Sequence, residues 1–200
     1  MFNCMDKVAI CDFFDRLAPE WDDRLIVDEG KMAAILDAAR ITRGSDVLDV
    51  ACGTGVMVDF YLDREVGHVT AIDLSPRMVD IFDEKFQNED RVDVICGDAE
   101  VYDFGTDFDA VMVFNAFPHF PDPAGIILHL AEYVKPGGTL TIAHDMGRKR
   151  LDEHHSGCAS KVSHGMMHED DVAALLEGSF ADITKVSNAD MFIVSGSKVA

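Results

Sequence analysis

The sequence has few positive charges and no long hydrophobic run. Its 200 residues include 17 Lys and Arg against 37 Asp and Glu, a formal net charge of −20 at pH 7. Proteins hold nucleic acid through Lys and Arg that neutralise phosphates, so this balance argues against a nucleic-acid partner. A transmembrane helix needs roughly 20 consecutive apolar residues, and no segment of the sequence comes close. We therefore expect neither a nucleic-acid partner nor a membrane span.

Cysteines are few, and their spacing is uninformative. The chain has five, none of them in a CxxC pair: Cys4, Cys11, Cys52, Cys96 and Cys158. This spacing predicts neither a disulfide framework nor a thiolate metal site. Cys52 and Cys96 border apolar runs, so we expect both to be small buried hydrophobes. Charges at residues 6, 7 and 12 interrupt any signal-peptide core, and these features together predict a cytoplasmic protein.

Short apolar runs alternate with stretches of helical periodicity through the middle of the chain. The runs predict strands at 47–51, 69–72, 92–95, 108–114 and 139–143, with helices at 57–64, 77–86 and 124–134 between them. Alternation of this kind is typical of a parallel sheet covered by helices on both faces.

The two ends of the chain depart from this alternation. Residues 6–41 predict helices with a break at Pro19, and residues 171–176 predict one more helix. Two strand-like runs follow at 182–186 and 191–194, close enough for an antiparallel hairpin. We predict an α/β fold, Rossmann-like, with a seven-stranded, mostly parallel sheet, helices on both faces and a C-terminal antiparallel hairpin.

The stretch VLDVACGTG, residues 47–55, is the most informative motif. A predicted strand leads into Gly53 and Gly55 and then into a helix, which lets the backbone approach a nucleotide-like ligand closely. The NAD fingerprint GxGxxG requires glycine where Val58 stands, so a dinucleotide is disfavoured. Asp73 follows Asp49 by 24 residues and ends the second predicted strand, where a carboxylate can accept both ribose hydroxyls.

With Asp49, Gly53 and Gly55 in a DxxxGxG-like loop, the sequence resembles the class I S-adenosylmethionine-dependent methyltransferases. Ala51 stands where the fuller family pattern has its first glycine. The segment VACGTG, residues 50–55, is particularly similar to the corresponding segment of the quinone-biosynthesis C-methyltransferases and their small-molecule relatives. The resemblance extends over residues 43–145 and implies S-adenosylmethionine as cofactor and methyl transfer to a small molecule.

The resemblance also implies a set of cofactor contacts. Asp73 would bind the ribose, Leu74 and Met78 would line the adenine, and Asp98 would accept from the adenine amino group. The full set implied is Trp21, Asp49, Ala51, Gly53, Gly55, Asp73, Leu74, Met78, Asp98, Ala99 and Asn115. Taken singly, Asp73 and Asp98 could equally be helix N-caps, and the glycines an ordinary tight turn.

The segment FFDRLAPEWDD, residues 13–23, is similar to the opening of the same small-molecule enzymes, where it lies over the cofactor as part of a lid. Phe14, Trp21 and Asp22 are therefore candidate lid residues. An aromatic stripe at helical spacing is also typical of plain core packing.

Two histidines follow predicted strands at the edge of the sheet where the methyl acceptor is expected to bind. His119 and His144 follow the fourth and fifth predicted strands, and parallel sheets bind ligands beyond such ends. In one hypothesis, His119 or His144 is a general base, and the Arg and Lys side chains at 148–150 attract an anionic group. A second brings His119, His144, His155 and His164 together on a divalent metal. A third leaves these histidines structural.

We predict one methyltransferase domain over 1–200. It would comprise a helical lid (1–42), a cofactor-binding core (43–143), a substrate-side insertion (144–170) and a last helix with the edge hairpin (171–200). The alternatives are an NAD-dependent reductase and a non-catalytic S-adenosylmethionine-binding protein. A monomer or homodimer is expected, and the sequence leaves the methyl acceptor open.

Overall fold

A computed structural model describes residues 5–155 and 162–200, except for the side chains of residues 153–155. Its helices are α1 Lys7–Leu17, α2 Glu29–Ala38, α3 Val58–Asp63, α4 Pro76–Phe86, α5 Pro123–Ala131, α6 Arg148–His155 and α7 Glu169–Leu176. Its strands are β1 Asp46–Val50, β2 His68–Asp73, β3 Val92–Cys96, β4 Phe108–Phe114, β5 Val134–His144, β6 Phe180–Ser187 and β7 Phe192–Lys198. Short 3-10 turns occupy Ala18–Glu20, Asp22–Arg24 and Phe117–His119.

The strands form one seven-stranded sheet in the order β3-β2-β1-β4-β5-β7-β6. Neighbours from β3 to β5 pair in parallel, and β7 runs antiparallel between β5 and β6. The predicted fold class, including the C-terminal antiparallel pair, is confirmed. Four elements (α3, β2, α4 and β3) separate β1 from β4 in sequence, yet the two strands are adjacent. The strand order therefore reverses between them, which is where open α/β sheets bind ligands.

The sheet is buried on both faces because its strands carry apolar residues at successive positions. On β1, Leu48 and Val50 pack on the face covered by α5 and α7, whereas Val47 packs on the opposite face with α2 and α3. All three side chains are fully buried. Complete burial of such a side chain contributes about 1.5–3 kcal/mol, so β1 is a rigid support for the loop that follows it.

Helix starts follow from local capping. Asp6 caps α1 by accepting from the Val8 amide, and Ser75 caps α4 by accepting from the Met78 amide at 3.2 Å. Pro76 follows Ser75 at the first helical position, where its fixed φ favours a helix. The start of α4 is therefore fixed directly beyond the end of β2.

Some local predictions differ from the structure. Residues 148–155 of the predicted insertion form helix α6, and β5 begins at Val134, five residues earlier than predicted. Cys52 is buried as expected, but Cys96 is exposed, because it ends β3 at the free edge of the sheet. Within residues 5–155 and 162–200, the helices are too short and too polar to cross a bilayer.

Candidate functional site

Left-handed backbone marks the ends of the two central strands. Ala51 directly after β1 has φ 55°, and Asn115 directly after β4 has φ 53°. For non-glycine residues this conformation is strained, and such strain clusters at functional sites. Both residues were in the predicted cofactor set, and the structure places them on neighbouring strands at the point where the strand order reverses.

Asp73 at the end of β2 ties two loops together. Its Oδ2 accepts from the Gly53 amide at 2.8 Å, and its Oδ1 accepts from the Ser75 amide at 2.8 Å. Burial raises the pKa of Asp73 above its ordinary value, although these two amide bonds oppose the effect. Since Ser75 caps α4, Asp73 is not the helix cap. Each of its oxygens keeps a further lone pair for a ligand.

The two glycines of the loop have different surroundings. A Cβ on Gly55 would lie 2.6 Å from Phe86 and 2.8 Å from Phe82, so glycine is required there for packing against α4. Among the described residues, a Cβ on Gly53 would meet only the indole nitrogen of Trp21, at 3.8 Å. Gly53 therefore faces more open space, next to the indole N–H of Trp21.

Asp49 lies on β1 beneath this loop and is almost sealed from solvent, at 2% exposure. Burial and the nearby Asp73 carboxylate raise its pKa to about 8, against a smaller lowering effect of the Tyr61 hydroxyl. Tyr61, on α3, is fully buried beside it. Within the described residues, neither Asp49 Oδ2 nor the Tyr61 hydroxyl has a hydrogen bond of acceptable geometry.

Asp98 follows β3 and is held from two sides. Its Oδ2 accepts from the Lys7 ammonium at 2.6 Å, and its Oδ1 accepts from the Glu100 amide at 3.0 Å. Lys7 also pairs with the Glu100 carboxylate. Burial acts to lower the pKa of Lys7, but its bonds to Asp98 and Glu100 outweigh that effect, and the pKa lies above its ordinary value.

The remaining predicted adenine contacts follow β2 and β3 in the chain. Met78 and Ala99 are buried, at 1% and 7% exposure, whereas Leu74 is half-buried beneath α1. The Cys11 thiol of α1 donates to the Leu74 carbonyl at 3.5 Å. The carboxyl ends of β1, β2 and β3 thus bring Gly53, Asp73 and Asp98 of the predicted cofactor set to one edge of the sheet.

The amino-terminal segment covers this edge. Asp15 of α1 accepts from the Ser75 hydroxyl and from the Arg77 amide, and Asp22 accepts from the Thr54 hydroxyl and from Lys85. Together with Lys7, these residues attach residues 7–24 to the loops after β1, β2 and β3. The candidate lid residues Trp21 and Asp22 belong to this segment, where the Trp21 indole lies beside Gly53 and Asp22 accepts from the Thr54 hydroxyl.

His119 lies at the end of the 3-10 turn after β4. Its Nδ1 is 2.6 Å from the Val162 carbonyl oxygen, which can only accept, so Nδ1 carries the proton. In the neutral ring the basic lone pair is then on Nε2. The Phe14 ring packs edge-on against the imidazole, with centroids 5.0 Å apart, and Trp21 packs against Phe14 in turn. His119 is thus in contact with the segment that covers the cofactor edge.

The other predicted histidines have different positions. His144 is buried, at 1% exposure, and packs edge-on against Phe192. His164 lines a small cavity, about 110 Å³ in volume, with Phe117, Pro118, Pro123 and residues 165–167. The His155 side chain lies outside the described residues. Among those described, no group of three or more His, Cys, Asp or Glu could hold a metal ion, and the metal hypothesis stays a prediction.

His164 and His168 form an HxxxH pair, a spacing of metal ligands that the metal hypothesis was expected to lack. That spacing brings two histidines to one face on a helix or on a strand. The backbone between them is neither helix nor strand, and Gly165 has φ 76°. His168 instead caps α7 by accepting from the Asp170 amide.

A reciprocal pair joins the ends of β4 and β5. The Asn115 amide group donates to Asp145 Oδ1 at 3.1 Å, and the Asp145 amide donates to Asn115 Oδ1 at 3.2 Å. Lys31 of α2 donates to the Asp145 carbonyl at 2.8 Å. Lys7, Lys31 and Tyr61 were not predicted, because their partners are distant in sequence and no motif contains them.

The family comparison agrees with this geometry. Residues 47–138 match the sequence model of the methyltransferase-domain family. These residues carry the sequence pattern of a methyltransferase domain. The match contains Asp49, Gly53, Asp73 and Asp98, and the predicted resemblance to S-adenosylmethionine-dependent methyltransferases is confirmed. The family also supports S-adenosylmethionine as the cofactor.

Two relatives illustrate the range of methyltransferases that the chain is similar to. It is 31% identical over 142 residues to malonyl-acyl-carrier-protein O-methyltransferase of Acetivibrio thermocellus, covering 70% of this chain and 50% of that protein. It is 34% identical over 105 residues to the ubiquinone biosynthesis O-methyltransferase of Xylella fastidiosa, covering 50% of this chain and 42% of that protein. The chain therefore spans about half of the length of these relatives.

Solved structures share the fold at low sequence identity. The N-methyltransferase NodS of Bradyrhizobium japonicum WM9, solved with S-adenosyl-L-homocysteine, has a TM-score of 0.72 and 14% identity, over 94% of this chain and 97% of that chain. The [4+2]-cyclase SpnF has a TM-score of 0.76 and 16% identity, over 97% of both chains. Since a cyclase is among the neighbours, the reaction has to be argued from the site and not from the fold.

Proposed function

We propose that this protein transfers the methyl group of S-adenosylmethionine to a small-molecule acceptor. The observation that carries the proposal is the position of Asp73, which joins the glycine-rich loop after β1 to the start of α4 and keeps lone pairs for two hydroxyls. The reductase alternative requires glycine at Val58, whose side chain is fully buried.

The residues present fit this cofactor. Asp73 would bind the ribose, and the open side of Gly53 next to the Trp21 indole would accommodate the methionine part, with Asp49 beneath it. Leu74, Met78, Asp98 and Ala99 would surround the adenine, at the end of the sheet where α1 crosses it. Ala51, Gly55 and Asn115 would shape the backbone around these contacts.

Bound S-adenosylmethionine supplies an electrophilic methyl carbon. The task of the protein is then to hold an acceptor in line with that carbon and to exclude water. Asn115 and Asp145 form a fixed pair at the ends of β4 and β5, where an acceptor would be oriented. His119, with its proton held on Nδ1, presents Nε2 as a base for an acceptor that must lose a proton.

His144 is assigned a structural role in this proposal, since its ring is buried and packs edge-on against Phe192 of the neighbouring strand β7. Residues 1–42 would act as the lid, with α1 across the adenine end and Trp21 above the glycine-rich loop. The cytoplasmic location, the monomeric or homodimeric state and the division of the chain into 1–42, 43–143, 144–170 and 171–200 stay predictions.

Activity can be tested before the acceptor is known. The purified protein is incubated with S-adenosylmethionine and a cell extract of small metabolites, and formation of S-adenosylhomocysteine is followed. We expect slow formation that requires the extract and is lost in Asp73→Ala. Binding of S-adenosylmethionine without any turnover over many extracts would favour the non-catalytic alternative.

A further inference from the structure

Helix α2 lies along β5 and brings Lys31 to the carboxyl end of that strand. At one end of the contact, the Thr139 hydroxyl donates to the Ala39 carbonyl at 2.6 Å. At the other end, the Lys31 ammonium donates to the Asp145 carbonyl at 2.8 Å. Lys31 precedes the fully buried Ile35 by one helical turn, so the two residues share the face of α2 that packs on the sheet. The ammonium is therefore placed at the edge where an acceptor is proposed to bind.

The charge of Lys31 is not balanced by a carboxylate in the part of the chain that the structure describes, since none of the ion pairs there includes it. Asp28 Oδ1 accepts from the backbone amide of Lys31 at 3.1 Å and so caps α2. Asp145 Oδ1 accepts from the Asn115 amide group at 3.1 Å. The similarly half-buried Lys135, by contrast, pairs with two carboxylates. Because partial burial disfavours an unbalanced charge, Lys31 is a place where a ligand can supply the anion.

Lys31 lies on the acceptor side of the proposed cofactor contacts. Those contacts follow β1, β2 and β3, and β4 separates β1 from β5 in the sheet. Neighbouring strands are about 4.8 Å apart, so the ends of β1 and β5 are about 10 Å apart. Between them, Asn115 follows β4 and is hydrogen-bonded to Asp145. An anion bound by Lys31 would thus lie beside the Asn115–Asp145 pair and across β4 from the glycine-rich loop.

We propose that Lys31 binds a carboxylate of the methyl acceptor, so that the substrate is a small carboxylic acid. An ammonium group has three donors, and one of them is used by the Asp145 carbonyl, which leaves two for a carboxylate. The Asp145 carboxylate is close by and the chain has a net charge of −20, so one ammonium suits a singly charged group better than a doubly charged phosphate. Lys31 is a specificity-determining residue here, because it holds the acceptor and takes no part in proton transfer.

This inference rests on the proposed function, and the chemistry of the acceptor can be tested before its identity is known. The extract of small metabolites is divided on an anion exchanger at pH 7, and formation of S-adenosylhomocysteine is followed with each fraction. One sample of the retained fraction is treated with a phosphatase. Another is treated with carbodiimide and methylamine, which convert carboxylates to neutral amides, and the reagents are removed. We expect activity in the retained fraction that is unchanged by the phosphatase and lost on amidation.

Variants of Lys31 separate acceptor binding from cofactor binding. Lys31→Met removes the charge, Lys31→Arg keeps it, and Lys198→Met is a control at the far end of β7. For Lys31→Met we expect the amount of retained fraction that gives the half-maximal rate to rise about 10- to 100-fold, since a hydrogen bond to a charged group is lost. Lys31→Arg should recover most of this loss, and Lys198→Met should match the wild type. The affinity for S-adenosylhomocysteine, measured by calorimetry, should be unchanged in all three.

Each contrary outcome has a distinct meaning. Activity in the unretained fraction, activity that survives amidation, or activity lost with the phosphatase would overturn the carboxylate assignment and leave the proposed function intact. An unchanged half-maximal amount in Lys31→Met would remove Lys31 from the acceptor site. A parallel loss of affinity for S-adenosylhomocysteine in Lys31→Met would overturn the inference by assigning the lysine to the carboxylate of the cofactor. Binding of S-adenosylmethionine without turnover in any fraction would overturn the proposed function and the inference together.

Discussion

The Lys7 ammonium lies 2.6 Å from Asp98 Oδ2, so α1 is attached to the strand end at which the adenine is proposed to bind. The two residues are 91 positions apart in sequence. Because Lys7 is near the start of α1 and Asp22 lies beyond its end, the segment is held at both ends, by ion pairs with Asp98 and Lys85. The covering segment can open only when such contacts break.

Lys7→Met should therefore weaken the attachment of residues 7–24 to the edge of the sheet. Both partners of the ion pair are partly exposed, and such pairs contribute about 0.2–1 kcal/mol, so we expect S-adenosylhomocysteine to associate and dissociate up to about fivefold faster. Stopped-flow fluorescence of the single Trp21 would measure both rates. Lys198→Met, at the far end of β7, serves as the matched control. Rates equal to those of the wild type would contradict a closing role for Lys7.

Ala51→Gly should stabilise the protein. Ala51 has φ 55°, and an L-residue with a side chain loses about 1–2 kcal/mol in that conformation. Glycine avoids this cost but is more flexible when unfolded, so we expect a net gain of about 1 kcal/mol in chemical denaturation. Ala33→Gly, on the exposed face of α2, should instead lose about 1 kcal/mol. A loss of stability in Ala51→Gly would contradict the prediction, since it would mean that Ala51 does not carry this backbone strain in solution.

Asp49 should make the stability of the ligand-free protein depend on pH. Its pKa is raised from 3.8 to about 8, so between these values the folded chain binds a proton that the unfolded chain does not. The contribution is complete below pH 4 and is lost as pH rises toward 8, with a slope of up to about 1.4 kcal/mol per pH unit. Asp49→Asn should flatten the curve between pH 5 and 8. Parallel curves for the two proteins would contradict a buried, protonated Asp49.

His119→Ala should lower the rate of methyl transfer and leave the affinity for the cofactor unchanged. Loss of a general base costs about 10²- to 10⁴-fold in rate, whereas the imidazole lies beyond the proposed cofactor contacts. With an acceptor whose nucleophile must lose a proton, we expect that loss in kcat and an affinity for S-adenosylhomocysteine within about twofold of the wild type. His68→Ala, at the opposite edge of the sheet, should leave both unchanged. An undiminished kcat in His119→Ala would exclude it as the base.

The sequence predicted the parts of the site that are local in sequence. The predicted strand at 108–114 has the bounds of β4, and Asp73 ends β2 as its spacing from Asp49 requires. The same motif placed Ala51 at a position for glycine, and the positive φ explains why the family uses glycine there.

Contacts between distant segments were not predictable. Nothing in the run DKVAI shows that Lys7 meets Asp98, and nothing in VDFYLD shows that Tyr61 lies beside Asp49. His144 was expected to face the substrate because it follows an apolar strand, but the sheet continues through it, pairing it with Phe192 on β7. A strand end can be located only when its partner strand is known.

The central claim is that S-adenosylmethionine binds at the edge of the sheet where Asp73 ends β2. Calorimetric titration tests this claim most directly. The wild type is titrated with S-adenosylmethionine and with NAD, and Asp73→Ala with S-adenosylmethionine. We predict one-to-one binding of S-adenosylmethionine, no binding of NAD, and loss of binding in Asp73→Ala with an unchanged thermal unfolding midpoint. Binding of NAD alone, or undiminished affinity in Asp73→Ala, would contradict the account.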